Sequence, residues 1–348
     1  METERMEIPS ILPKKLLAWY DQGHRELPWR SNPTPYWVWV SEIMLQQTRV
    51  EAVKPYFARF MQELPTIKDL AEAEEDLLMK LWEGLGYYRR VRNLQAAAKE
   101  IMKEFGGEMP RSYPLIRSLP GIGEYTAGAI ASIAFGLPRP AVDGNVLRVL
   151  SRVCEDERDI LKQPIKNDMT RALLAIYPKD RAGDFTQSLM ELGAMVCVPN
   201  GAPKCEECPL NDLCLAHLRG STDIIPVKTA KKPRKVEKMT VFLLKHQDQW
   251  AVRKRGDEGL LAGLWEFPNQ KGFLKEDEAK AQLKEWGIEA SKLSFAGKKK
   301  HIFTHIEWQM QVCLADCEKA EKTPFLWVTE EQLSGEIALP TAFKKTIK

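Results

Sequence analysis

Residues 119–128 read Leu-Pro-Gly-Ile-Gly-Glu-Tyr-Thr-Ala-Gly, a Pro-Gly-x-Gly turn placed directly before a run of small residues. Gly121 and Gly123 let backbone N–H groups approach an anion with no Cβ in the way, and a following helix adds the positive end of its dipole. A DNA phosphate suits such a concavity, and contacts of that kind fix position without reading base sequence. The plain alternative is a tight connection between two helices. Two neighbours raise the turn above it: the small-residue run "TAGAIASIAFG" (126–136) permits close helix packing, and "VDGNVLRVLSR" (142–152) follows shortly after. In the latter, Asp143 stands where an N-cap belongs, just ahead of an apolar-periodic helix.

Working outward, residues 11–218 are helical in character, with apolar residues three and four apart in "SEIMLQQTRVEAVKPYFARFMQ" and "EDLLMKLWEGL". Composition then shifts in "STDIIPVKTAKKPRKVEKM", a basic stretch with little to bury that reads as a solvated tether. Short β-type runs follow, "MTVFLLKH", "WAVRKR", "LSFAGKKKHIFTH" and "IEWQMQVCLA", together with one helical run, "EDEAKAQLKEW". The expected organisation is therefore a mainly α region over residues 1–220, a linker over 221–237 and a small α+β domain over 238–348. A length of 348 residues is ample for two cores. The net charge of +3 matters for nucleic acid only where it is clustered. No apolar run reaches membrane-spanning length, and the acidic, polar "METERMEIPS" has no signal-segment pattern. A cytosolic, monomeric protein is expected.

Four of the seven cysteines, Cys197, Cys205, Cys208 and Cys214, crowd into one segment with spacing Cys-x7-Cys-x2-Cys-x5-Cys. In a reducing compartment such a group reads as a metal or cluster site, able to hold a tetrahedral zinc or a 4Fe–4S cluster. Structural zinc sites usually supply two Cys-x2-4-Cys pairs, and here only one exists. That favours the cluster and leaves zinc as the alternative.

"LPGIGEYTAG", "VDGNV" and the cysteine cluster together resemble the helix-hairpin-helix-Gly/Pro-Asp superfamily of DNA base-excision glycosylases. "LPWR", "WVSEIMLQQTRV" and "WEGLGYYRRVRNL" narrow the resemblance to its MutY-type adenine glycosylases. The resemblance implies that Glu42 protonates the departing adenine at N-7 and that Asp143 stabilises the cationic sugar, with Tyr125 and Asn145 in support. It places Arg25, Trp29, Leu45 and Gln187 around an adenine pocket, and Gln47 and Tyr87 as wedges that open the duplex when the base is extruded. Relatives resembling endonuclease III carry a lysine at the position of Tyr125. A tyrosine cannot form the imine on which strand cleavage depends, so base removal without an efficient lyase step is implied. Residue types alone give Glu42 an ordinary helical position beside Val38 and Leu45, where a partly apolar setting would raise its pKa. Two features depart from the family pattern: seven residues rather than six separate Cys197 from Cys205, and Thr186 stands where asparagine is usual.

"LAGLWEFPNQ" and "AKAQLKEWGIEA" resemble a Nudix fold. The glutamate-rich helix that holds magnesium in working Nudix hydrolases is eroded here to Glu285 among lysine, alanine and glutamine. Binding without hydrolysis is therefore implied. Phe303, Thr304 and His305, in "HIFTH", match the loop that recognises 8-oxoguanine opposite adenine, with Thr304 in place of serine. The implied partner is double-stranded DNA carrying adenine–8-oxoguanine mispairs, as in a bacterial nucleoid, and no membrane.

Overall fold

A computed structural model describes residues 6–230, 233–319 and 323–347. It divides into two compact units, residues 1–72 with 92–230, and residues 73–91 with 231–348.

The first unit is helical throughout. Its hairpin runs from the helix Tyr113–Ser118 through the glycine turn into the helix Glu124–Ala129, which continues as a π-helical turn over Ile130–Ala134. Gly121 is the residue the turn cannot replace. It sits at φ +74°, and an added Cβ would lie 2.5 Å from the Asn93 Cβ. Gly123, the N-cap, has an ordinary φ of −87° and open space where a Cβ would go. The small residues beyond it do what their size allows. A Cβ on Gly128 would strike the Pro140 carbonyl oxygen at 2.1 Å, and Ala127, Ala129 and Ala131 are fully buried.

Two further helices frame the site. Gly144–Cys154 is capped by Asp143, whose carboxylate accepts from the Asn145 and Val146 N–H groups. Ala182–Met195 buries Phe185, Leu189 and Leu192 against Leu12, Leu16, Val149 and Leu150. Thr186 belongs to this interior. Its hydroxyl bonds the Ser132 hydroxyl (2.7 Å) and the Tyr177 phenol, so the departure from asparagine is absorbed in packing.

The stretch 221–230 is not a free tether. Ile225 is buried in the helical core, Arg152 donates to the Thr222 and Ile225 carbonyls at 2.8 Å, and the Ile160 N–H donates to Val227 (3.2 Å). These partners anchor the stretch at Thr222, Ile225 and Val227, while residues 223, 224 and 228–230 stay exposed.

The second unit is a mixed sheet of seven strands: β1 (Lys235–His246), β2 (Gln249–Lys254), β3 (Trp265–Glu266), β4 (Asn269–Lys271), β5 (Glu289–Ile302), β6 (Ile306–Lys319) and β7 (Leu326–Thr329). The order is β3-β2-β1-β6-β5, with β4 on β1 and β7 on β2; β1 and β6 are parallel, and β5 and β6 form an antiparallel hairpin across residues 303–305. Alternation along β1 sends Met239, Val241 and Leu243 to one core and Phe242 and Leu244 to the other. The helix Glu276–Glu285 covers the second core, and Gln282 on it bonds Gln270 and Glu285 rather than a carboxylate cluster. Residues 73–91 group with this unit through Lys80, which donates to the Ser334 carbonyl (2.6 Å), and Glu83, which accepts from the Leu339 N–H (2.7 Å).

Candidate active site

Glu42 lies on the helix Pro35–Leu45, which starts at a Thr34 cap and a proline, and buries every residue from Val38 to Met44. A helix apolar on nearly all sides is a buried one, so its single acid is carried inside. Glu42 is 5% exposed. The Tyr125 phenol, from the hairpin helix, donates to Glu42 Oε2 at 2.5 Å. Burial pushes the Glu42 carboxyl up to about 7; the Tyr125 hydrogen bond opposes this, the Asp143 carboxylate adds to it, and Arg30 draws it down. Burial and the same two carboxylates hold Tyr125 well above the usual phenol range, so it remains a donor.

Asp143 faces the same cavity. Its Oδ1 accepts from the backbone of Asn145 (2.9 Å) and Val146 (2.8 Å), and its Oδ2 from Asn145 Nδ2 (2.8 Å). Enclosure pushes its carboxyl up, against these donors and Arg148, which hold the anion. Asn145 is fixed in turn. Arg148 Nη2 donates to Asn145 Oδ1 (3.0 Å) and to the Gly193 carbonyl (2.7 Å), and Gly193 is glycine because a Cβ would meet the Asn145 Cβ at 2.7 Å.

The cavity holds about 490 Å³ and is also lined by Arg25, Trp29, Leu45, Gln47 and Gln187. The positions assigned to catalysis and to the adenine pocket thus come together. Gln47 is exposed at φ +60°, a left-handed conformation that a non-glycine residue holds only when its surroundings impose it. Tyr87, in the second unit, is 47% exposed at φ +50°. Its hydroxyl is hydrogen-bonded to the Thr304 hydroxyl. Tyr88 beside it is buried and accepts from the Gly84 N–H, a packing role.

Two groups escaped the sequence reading. Glu191, 2% exposed, takes Arg25 Nε (2.6 Å), Arg25 Nη2 (3.1 Å) and Arg30 Nη2 (2.9 Å), and so sets both guanidiniums in the pocket region. Its position one helical turn after Gln187 was the available signal. Arg30 itself lines the cavity.

In the hairpin loop of the second unit, Phe303 packs edge-on against Trp308 with ring centres 4.9 Å apart, while Thr304 and His305 are exposed. The loop is closed by the Phe303 N–H to the Ile306 carbonyl (2.8 Å).

Cys197, Cys205, Cys208 and Cys214 line one cavity together with Arg152, whose Nη1 donates to Cys197 Sγ (3.3 Å). The longer first spacing is taken up in an exposed turn at 199–202, with Gly201 at φ +76° and the Lys204 N–H returning to the Val196 carbonyl (3.0 Å). Among the described residues, no three His, Cys, Asp or Glu side chains converge as a single metal ion would require.

Comparison with known proteins identifies the two domains and the family. Residues 40–174 match the model of the HhH-GPD superfamily of base excision DNA repair proteins, and residues 240–348 match the NUDIX domain. The adenine DNA glycosylase of Mus musculus is 36% identical over 395 residues, covering 96% of this chain and 76% of its own length. That of Buchnera aphidicola subsp. Acyrthosiphon pisum is 36% identical over 85% of each chain. Among solved structures, a thermostable thymine-DNA glycosylase aligns at TM-score 0.54 with 27% identity, covering 60% of this chain and 96% of that one. Endonuclease III trapped as a covalent intermediate on DNA aligns at TM-score 0.51 with 26% identity, covering 60% and 94%. With such identity sustained over nearly the whole sequence, the chain belongs to the family of adenine DNA glycosylases.

Proposed function

We propose that this protein removes adenine from DNA by hydrolysing its N-glycosidic bond where adenine stands opposite 8-oxoguanine, and leaves an abasic site uncut. The observation that carries the reading is the pairing of Glu42 and Asp143 on one cavity, with Glu42 poised near neutrality. A volume of about 490 Å³ lies in the range of small-ligand sites. A carboxyl titrating near 7 donates a proton efficiently at neutral pH. In this reading Glu42 protonates the adenine ring as the bond to the sugar breaks, and Tyr125 keeps its carboxyl aimed. Asp143, its carboxyl oxygens held on three donors, shelters the positive charge that develops on the sugar. Water then adds to the sugar carbon and completes hydrolysis. Tyr125 has no amine to form an imine, so the backbone stays intact.

The four cysteines, which line one cavity, are the donor set that would hold a 4Fe–4S cluster. When bound, the cluster supplies a covalent tie for the loop 197–214. Arg152 and Arg148 hold that loop, the first at Cys197 Sγ and the second at the Cys197 carbonyl oxygen (2.8 Å). Purified protein should be yellow-brown, and a colourless sample containing zinc would overturn the assignment.

The deciding experiment is a single-turnover assay on duplexes pairing adenine with 8-oxoguanine, guanine, cytosine and thymine, read with and without alkaline work-up. The expected result is release of adenine fastest opposite 8-oxoguanine, with strand breaks only after alkali. Equal rates opposite all four bases, or breaks without alkali, would refute the reading.

A further inference from the structure

The cavity that holds Glu42 and Asp143 also carries two guanidiniums, Arg25 and Arg30. A proton donor must keep its proton, and a cation drawn against a carboxyl favours the anion instead. Of the groups that act on Glu42 after burial, which are Tyr125, Asp143 and Arg30, only Arg30 is a cation. Arg49 lines the cavity as well, but it is exposed, and water and salt screen it. Glu42 therefore stays an acid only while Arg30 is held off it.

Glu191 arrives from a separate helix, Ala182–Met195, to do the holding. Its Oε1 accepts from Arg25 Nε (2.6 Å) and the Arg25 backbone N–H (3.2 Å), and its Oε2 from Arg25 Nη2 (3.1 Å) and Arg30 Nη2 (2.9 Å). Arg30 Nη1 donates to the Arg25 carbonyl (2.9 Å), so both terminal nitrogens of Arg30 are engaged within this cluster. The Arg30 side chain is 13% exposed, and water would screen it little if it came loose. Burial works to push the Glu191 carboxyl up, but its two guanidinium partners outweigh burial and hold it below the usual carboxylate range. Glu191 is thus an anion throughout the range in which Glu42 titrates. Tyr20, buried beside the cluster, is held above the usual phenol range by that burial and adds no charge there. Without Glu191 the two guanidiniums would have no carboxylate, and the acids that line the cavity are Glu42 and Asp143. A cation stripped of its partner in a poorly hydrated site pairs with the next acid within reach.

We propose that Glu191 is a positioning residue for the acid: it holds Arg25 and Arg30 in one ion-paired cluster and so keeps Arg30 from pairing with Glu42. This rests on the reading of Glu42 as the proton donor. The test is the pH profile of single-turnover adenine release by full-length protein from an adenine–8-oxoguanine duplex. The wild-type rate should decline above about pH 7. Glu191→Gln should move that decline to lower pH by about one unit or more, the usual effect of an opposite charge brought into contact. Adding Arg30→Gln to it removes the cation responsible and should return the decline to its wild-type position or above. A merely structural Glu191 would lower the rate at every pH without moving the decline, and the second substitution would restore nothing. Glu191→Asp keeps the charge but is one methylene short of both forks. It should move the decline the same way by less, and Arg30→Gln should cancel that shift too. Should the glutamine variant fail to fold, the aspartate variant decides on the same terms. A wild-type profile with no decline would overturn the reading of Glu42 and this proposal with it. A wild-type decline that the deciding variant leaves in place, moves to higher pH, or does not recover with Arg30→Gln would overturn this proposal alone.

Discussion

At the scale of single residues, the behaviour of Glu42 follows from where its helix takes it. Its carboxyl holds a proton up to about pH 7 in the folded chain, against a value of 4.5 when free. Folding therefore takes up a proton between those limits, and stability falls as pH rises from 4.5 towards 7. Glu42→Gln removes that penalty. It should leave stability nearly unchanged at pH 5 and raise it by about 1–3 kcal/mol at pH 8, where the wild-type group is a buried anion. Denaturant melts at the two pH values check this, and an equal effect at both would show that the carboxyl is not raised. The same variant should abolish excision, and the wild-type rate should decline above about pH 7 as the donor loses its proton. Tyr125→Phe deletes a bond that favours the anion, so that decline should move to higher pH. Asp143→Asn tests the other half. Asparagine caps a helix as well as aspartate does, so the fold and duplex binding should survive. Excision should fall by about a thousandfold or more, and retained single-turnover rates would remove Asp143 from its role.

At the scale of elements, the glycine turn separates structural glycines from an approach surface. Gly121→Ala places a Cβ against Asn93 at a positive φ and should cost about 2 kcal/mol or more. Gly123→Ala has an ordinary backbone and open space, so stability should shift by no more than about 0.5 kcal/mol, while a close approach of phosphate would be obstructed. Equal losses of stability in the two, measured by thermal melts, would contradict this assignment. The turn, the Asp143 cap and the four longer strands of the second unit, β1, β2, β5 and β6, were legible because each is a local pattern: glycine spacing, a cap before a periodic run, alternation; the short β3, β4 and β7 carry too few residues to show one. What stayed hidden depends on partners far away in sequence. Glu191 looked like an ordinary helical acid until Arg25 and Arg30 arrived from more than a hundred residues earlier. Residues 221–230 read as a tether because Arg152 and the pocket for Ile225 lie on another segment. The grouping of 73–91 with the second unit has the same origin, since Lys80 and Glu83 find their partners at 334–344. Glu42 is the intermediate case. Its apolar neighbours hinted at a raised pKa, but only the fold put Asp143 and Tyr125 beside it.

At the scale of the whole molecule, the two units carry different parts of the proposed task. Every residue assigned to bond cleavage, from Arg25 to Gln187, lies in the first unit, and the exposed loop of Thr304 and His305 lies in the second. If the division holds, the two parts fail separately. Thr304→Ala and His305→Ala remove exposed groups, so each should leave stability within about 0.5 kcal/mol. Their effect should fall on the choice of partner base: the preference for 8-oxoguanine over guanine opposite adenine should drop by about tenfold, a scale set by loss of one or two polar contacts. Excision from an adenine–guanine duplex should stay within about twofold of wild type, because Glu42 and Asp143 are untouched. Thr304 carries a further consequence, since its hydroxyl is bonded to that of Tyr87. Tyr87→Phe breaks this bond and keeps the ring, so it should lower the same preference in the same direction as Thr304→Ala, and the double variant should lose little more than either single change. Single-turnover rates and duplex affinities on the two substrates measure all of this. A loop variant that slowed both substrates equally would place the hairpin in the chemistry rather than in recognition, and additive losses in the double variant would separate Tyr87 from Thr304.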